Sequence, residues 1–169
     1  MLQLRNRTPF SAGMTVLPDP AGMETVFVAV KASFAMTPSI RVAEQQAPLT
    51  LADEFWGDPD TTSLRYGTEM HLAKPGTDVV LVGHAWPTAA RRVERLDVRL
   101  AVGKAESTIR VFGDRTWRGG MVSASMTPPQ PFESMPLRYE RAFGGVERNA
   151  GGTVVAFEER NPVGVGFRS

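Results

Sequence analysis

This sequence predicts a mainly β fold, an antiparallel sandwich or barrel-like domain with long Pro/Gly-rich loops and little helix. Two observations lead there. Apolar residues recur at period two in several short segments, and 16 Gly and 13 Pro interrupt the chain too often for a long helix. A length of 169 residues with 42% hydrophobic content suffices for a packed core without disulfides.

The elements follow in order. Met14–Leu17 reads as a short strand, and Pro18-Asp19-Pro20-Ala21-Gly22 as the turn after it. Glu24–Phe34 is the first strong strand. Val26, Val28, Val30, Ala32 and Phe34 share one face, and Phe27, Ala29, Lys31 and Ser33 share the other. Ile40–Ala43 is a short strand beyond the Thr37-Pro38-Ser39 turn. Gly57-Asp58-Pro59-Asp60 is a turn whose flanking Phe55 and Trp56 anchor the segment to the core. Asp78–Ala85 is a near-continuous apolar run suited to a central strand. Arg95–Gly103 and Ser107–Phe112 alternate cleanly and meet at Gly103-Lys104, which predicts a β-hairpin with a polar outer face. Met126–Phe132 carries Pro128, Pro129 and Pro131 and reads as an extended loop. Leu137–Phe143 fits a short helix or a strand, Thr153–Phe157 a last strand, and Asn161–Phe167 a loop.

Composition narrows function. Nineteen basic residues against 18 acidic ones give a net charge of +1, with no drive toward nucleic acid or anionic membranes. Arg91, Arg92, Arg95 and Arg99 are interrupted by Glu94 and Asp97, as on a solvated strand face. Cysteine is absent, which removes thiol nucleophiles and Cys-based zinc sites. His71 and His84 lack metal-ligand spacing, so no metal or other cofactor is expected. No signal-like h-region or long apolar span occurs, and a cytoplasmic protein is expected.

No catalytic spacing stands out either. Asp53, Glu54, Asp58 and Asp60 lack calcium-loop spacing and fit turn chemistry. No serine sits in Gly-x-Ser-x-Gly, and no phosphate-binding glycine loop precedes a helix. The most unusual segment is Leu137-Arg138-Tyr139-Glu140-Arg141-Ala142-Phe143-Gly144-Gly145. Its arginines either recognise a partner carboxylate or form an internal network with Glu140, with Tyr139 and Phe143 in the core. Arg138, Tyr139, Glu140, Arg141 and Phe143 are therefore partner-binding candidates, and Trp56, Arg65 and Tyr66 join them.

Further stretches point to a family. They include Asn6-Arg7-Thr8-Pro9-Phe10, Val28–Phe34, Ala52-Asp53-Glu54-Phe55-Trp56-Gly57, Ser63-Leu64-Arg65-Tyr66 and Lys74–Val79. Val111-Phe112-Gly113-Asp114-Arg115, Pro136–Gly145 and Asn161-Pro162-Val163-Gly164 complete the set. In this order and spacing the chain resembles the bacterial domain of unknown function 2169. That resemblance implies a non-enzymatic adaptor or chaperone for a type VI secretion effector, loading it on the secretion spike. The expected partners are the effector and the spike protein, with no nucleic acid and no membrane. The alternatives are a carbohydrate-active hydrolase using carboxylates among Asp53, Glu54, Asp114 and Glu140, or a structural component of a secretion assembly. Residues 1–169 read as a single β-rich domain, an N-terminal part of a larger family fold. Chains of the family run on past Asn-Pro-x-Gly, so an open sheet edge near Ser169, available for strand addition or self-association, is also expected.

Overall fold

The computed structural model describes residues 2–71, 74–88, 91–119 and 123–167, so Met121 and Ser169 lie outside the description. The chain is mainly β, as the periodicity predicts, and its one helical element among the described residues is a 3-10 turn at Tyr139–Arg141. Two compact units comprise it. The first is Met1–Pro59 with Leu64–Thr77, the second Asp60–Ser63 with Asp78–Ser169. No helix among the described residues is long and apolar enough to cross a membrane.

Unit 1 holds β1 (Ser11–Pro18), β2 (Glu24–Lys31), β3 (Phe34–Ala35), β4 (Arg41–Val42), β5 (Glu54–Phe55) and β6 (Leu64–Tyr66). Strands β1 and β2 pair in unbroken antiparallel register from Ser11↔Lys31 to Pro18↔Glu24. Their turn is closed by Asp19, whose carboxylate accepts the N–H groups of Ala21 and Met23, each at 2.9 Å. The strand expected to reach Phe34 ends at Lys31. Phe34 belongs to β3, which pairs with β4 inside the expected Ile40–Ala43 segment.

The two faces of this hairpin differ. The partly buried face carries Phe27, Ala29 and Lys31. Gly13 lies opposite Ala29, and a Cβ there would fall 2.6 Å from the Leu49 Cδ1, so a larger residue would have to displace the end of that side chain. Lys31 reaches Glu69 at 2.9 Å, and Glu69 also accepts the Thr50 N–H at 2.8 Å. The alternation then turns Val26, Val28 and Val30 outward, and Val28 and Val30 are 56% and 60% exposed.

Unit 2 holds β7 (His84–Ala85), β8 (Arg95–Val102), β9 (Ala105–Phe112), β10 (Trp117–Arg118), β11 (Ser125–Met126), β12 (Met135–Pro136), β13 (Phe143–Arg148), β14 (Val154–Glu158) and β15 (Val165–Gly166). The predicted hairpin is β8–β9, turning at Gly103-Lys104. Its polar face is knitted by bidentate pairs, Arg110 to Asp97 and Arg99 to Glu106. Its other face supplies Val111 to a small core of Ala85, Val111, Phe132 and Met135, against which Val93, Leu96, Val98 and Leu137 pack.

The central strand expected over Asp78–Ala85 is not formed. Only His84 and Ala85 find a ladder, against β12, and Val80 is 73% exposed. Apolar composition makes a run hydrophobic, but a central strand also needs backbone partners on both edges. A second departure from the expected antiparallel pattern is β13. It pairs with β14 antiparallel and with β15 in parallel. The Pro-rich stretch before Phe132 is extended, as expected, and ends in a bridge from Phe132 to Val93.

We predict that Phe132→Ala costs about 3 kcal/mol in urea unfolding, because it empties a packed core position. Val28→Thr should change stability by no more than about 0.5 kcal/mol, because its side chain faces outward. A large loss with Val28→Thr would show that the valine face is covered within the folded chain.

Candidate functional site

The eight candidate residues fall into two groups, one in each unit. In unit 2 the chain from Pro136 enters the 3-10 turn Tyr139–Arg141 and leaves directly into β13. The turn is held from outside by Asn161, a buried residue in the segment expected to be a simple loop. The Asn161 side-chain amide donates to the main-chain carbonyls of Tyr139 at 2.8 Å and Phe143 at 3.1 Å, with that of Ala142 at 3.4 Å. Its own main-chain carbonyl accepts the N–H groups of Gly145 at 2.8 Å and Gly164 at 3.2 Å. Surrounding carbonyls fix which way the amide points, since the reverse orientation would set oxygen against oxygen. The Asn161 Oδ1 is buried with no hydrogen-bond partner among the described residues.

Gly144 and Gly145 are required by the same contact. A Cβ on Gly144 would collide with the Asn161 carbonyl, and one on Gly145 with the Gly164 carbonyl, where φ is also +83°. The Gly-Gly pair and the Asn-Pro-x-Gly segment thus meet in space as two halves of one joint.

The joint sets the charges of the Arg-Tyr-Glu-Arg segment. Glu140 accepts the Ser63 N–H at 2.7 Å, and the Ser63 hydroxyl lies 3.0 Å from both carboxylate oxygens. Partial burial works to raise the Glu140 pKa, but the Ser63 and Glu140 backbone N–H groups, the Ser63 hydroxyl and the Arg138 charge outweigh it and hold the carboxyl below the ordinary glutamate range. Arg141 pairs with Asp114 and also donates from Nε to the Met135 Sδ at 3.1 Å. The expected internal network is therefore spread over other partners, with Ser63 and Asp114 as members that sequence spacing did not indicate.

Tyr139 and Phe143 are not in the core. They are 63% and 59% exposed, because the turn and the edge of β13 direct them outward. Phe143 rests on Phe167, with ring centres 5.1 Å apart.

In unit 1, Trp56, Arg65 and Tyr66 do converge. Glu54 pairs with Tyr66 and Phe55 with Leu64, so Arg65 is the extra residue of a β-bulge. Its guanidinium lies 4.5 Å from the Trp56 ring centre and 5.0 Å from that of Tyr66. Trp56 is half-buried. An open groove of about 680 Å³ in the same unit is lined by Met14, Leu17, Leu51, Asp53, Thr68 and Met70. No cluster of metal-ligating side chains occurs among the described residues.

The geometry defines a β-rich chain with exposed aromatic, arginine and apolar surface. The model of the family described as "Uncharacterized protein conserved in bacteria (DUF2169)" matches residues 21–169. The chain belongs to that family. No curated protein and no solved structure matches it.

Two outcomes are expected from the joint and its neighbours. Asn161→Ala should lower stability by about 2–3 kcal/mol in urea unfolding, by removing the side-chain hydrogen bonds to the Tyr139 and Phe143 carbonyls, worth about 1 kcal/mol each, and the packing of a buried side chain. A change below about 0.5 kcal/mol would show that the joint holds without the amide. For Glu140 the sign follows from the lowered pKa. Its contribution is present above the ordinary glutamate value and is lost as pH falls through the lower folded value. Urea unfolding followed from pH 6 to pH 3 should therefore show a shallower loss of stability in Glu140→Gln than in the native chain. Equal slopes would mean that the Ser63 contact carries no stability.

Proposed function

We propose that this protein is a non-enzymatic adaptor or chaperone that binds a type VI secretion effector and aids its loading on the secretion spike. The observation that carries the binding role is the outward valine face of the β1–β2 hairpin. Val16, Val26, Val28 and Val30 form a contiguous exposed apolar strip on an otherwise regular two-stranded ribbon. Such a strip is costly to leave in water and is the kind of surface on which an extended partner segment docks. The secretion context comes from the family resemblance.

Three of the four carboxylates considered for hydrolysis are engaged elsewhere, Glu54 being the exception, which favours binding over that chemistry. Glu140 is held by Ser63, Asp114 by Arg141, and Asp53 accepts the Thr68 N–H at 2.8 Å. A general acid or a glycosyl nucleophile needs a carboxyl aimed at substrate in a shared cleft.

Co-expression with a type VI effector encoded beside it should yield a stable complex on gel filtration. Replacing Val26, Val28 and Val30 together by Thr should abolish that complex while leaving the unfolding midpoint unchanged. Failure of the native chain to form a complex removes the adaptor reading. Survival of the complex in the triple variant moves the contact to another surface.

A further inference from the structure

We propose that Arg65, clamped between Trp56 and Tyr66, is a recognition site for a side-chain carboxylate on an extended segment of the partner protein. This rests on the adaptor reading and names the chemistry that the partner must present.

Three observations meet at this residue. The bulge in β6 releases Arg65 from the pairing of Leu64 and Tyr66 with β5 and re-aims its side chain. The Trp56 and Tyr66 rings then hold the guanidinium at 4.5 Å and 5.0 Å, which limits the rotamer freedom that a long side chain loses on binding. Finally, no ion pair joins Arg65 to a carboxylate among the described residues, whereas Arg99, Arg110 and Arg141 each have one. Rings pack against the guanidinium, while its hydrogen-bond donors project in its plane. The hydrogen-bonding fork is thus free to take a carboxylate in bidentate fashion.

This differs from the segment that sequence reading favours for carboxylate recognition. There Arg141 is already committed to Asp114. Arg65 offers the same chemistry with no ion pair to a carboxylate among the described residues.

Local charge selects the class of ligand. Asp53, Glu54 and Asp58 belong to the same unit and the same stretch of chain, and Glu54 lies directly across the pair from Tyr66. A polyanion such as nucleic acid or a phosphopeptide would meet these carboxylates as well as the one cation. A single carboxylate on a largely apolar strand carries much less of that repulsion. Strand β6 pairs only with β5 among the described residues, and all three of its residues are exposed, which suits it to receive an extended segment. A segment laid there presents side chains at alternate positions, which favours an internal Asp or Glu over a chain terminus.

The test uses the full chain and a short blocked peptide alternating valine and glutamate. Binding is followed by tryptophan fluorescence and by the Arg65 Nε–H resonance. The glutamate peptide should shift that resonance, and its glutamine counterpart should bind roughly tenfold more weakly or worse. Arg65→Ala should lose affinity by a similar factor, and Arg65→Lys should recover little of it, because an ammonium cannot reproduce the planar fork.

The proposal is overturned if the glutamate peptide leaves the Arg65 resonance unmoved, or if glutamate and glutamine peptides bind alike. Tighter binding of a phosphoserine peptide, or of a neutral peptide with a free C-terminus, overturns it as well. A lowered melting temperature in Arg65→Ala with unchanged affinity would leave Arg65 as packing alone. The effector complex is measured in parallel. A complex retained by Arg65→Ala sinks only this site, whereas no complex with the native chain sinks the adaptor reading.

Discussion

The second unit depends on one buried carboxamide. Asn161 gathers the carbonyls of the 3-10 turn and the start of β13 with its side chain, while its main chain receives the N–H groups of Gly145 and Gly164. The Tyr139 and Ala142 carbonyls also accept the N–H groups of Ala142 and Val165, so the amide adds a second hydrogen bond to each and reaches the Phe143 carbonyl as well. The amide thus ties several positions together at the point where β15 lies beside β13 in parallel register. Gly144 and Gly145 leave the space in which this happens. The burial of Asn161 Oδ1 without a partner is the cost of using the amino end of the same amide so fully.

Once the turn is fixed, the polar chemistry around it follows. Glu140 meets Ser63 and Arg141 meets Asp114, because neighbouring residues of the turn send their side chains in different directions. The 3-10 turn gives each its own partner and leaves the aromatic residues between them facing solvent. Internal ion pairing and an exposed aromatic surface therefore arise together.

The parts of the fold legible in the sequence are those whose information is local. The β8–β9 hairpin follows from alternation around Gly103-Lys104, and the β1–β2 turn from its Asp19 and Gly22 chemistry. Alternation does not reveal which face points inward. The more hydrophobic face of β2 is the outer one, because Gly13, Leu49 and the Lys31–Glu69 pair define the inner side through residues distant in sequence. The same limit applies to Asp78–Ala85, where an apolar run lacks ladder partners over most of its length. Trp56, Arg65 and Tyr66 were recognisable as residue types suited to binding. Their convergence depends on a bulge, which no spacing rule encodes. Asn161 stood inside a recognisable motif, but its role requires knowing that the two glycines lie against it.

The outward valines raise a question of energetics rather than of geometry. A β-branched strip on a two-stranded ribbon adds less to folding than a buried one, since its side chains stay about half exposed, and an exposed ribbon invites edge-to-edge association. Neither the bulge at Arg65 nor the charged pairs on β8–β9 protects β1–β2, which pairs without interruption along its full length. The inner face is already secured by Leu49 and by the Lys31–Glu69–Thr50 contacts, so the valines are not needed to hold the ribbon in place. Thr at the same positions would keep the β propensity and reduce the exposed apolar area. Valine at 26, 28 and 30 therefore supports the proposed partner contact more than it serves the stability of the ribbon itself.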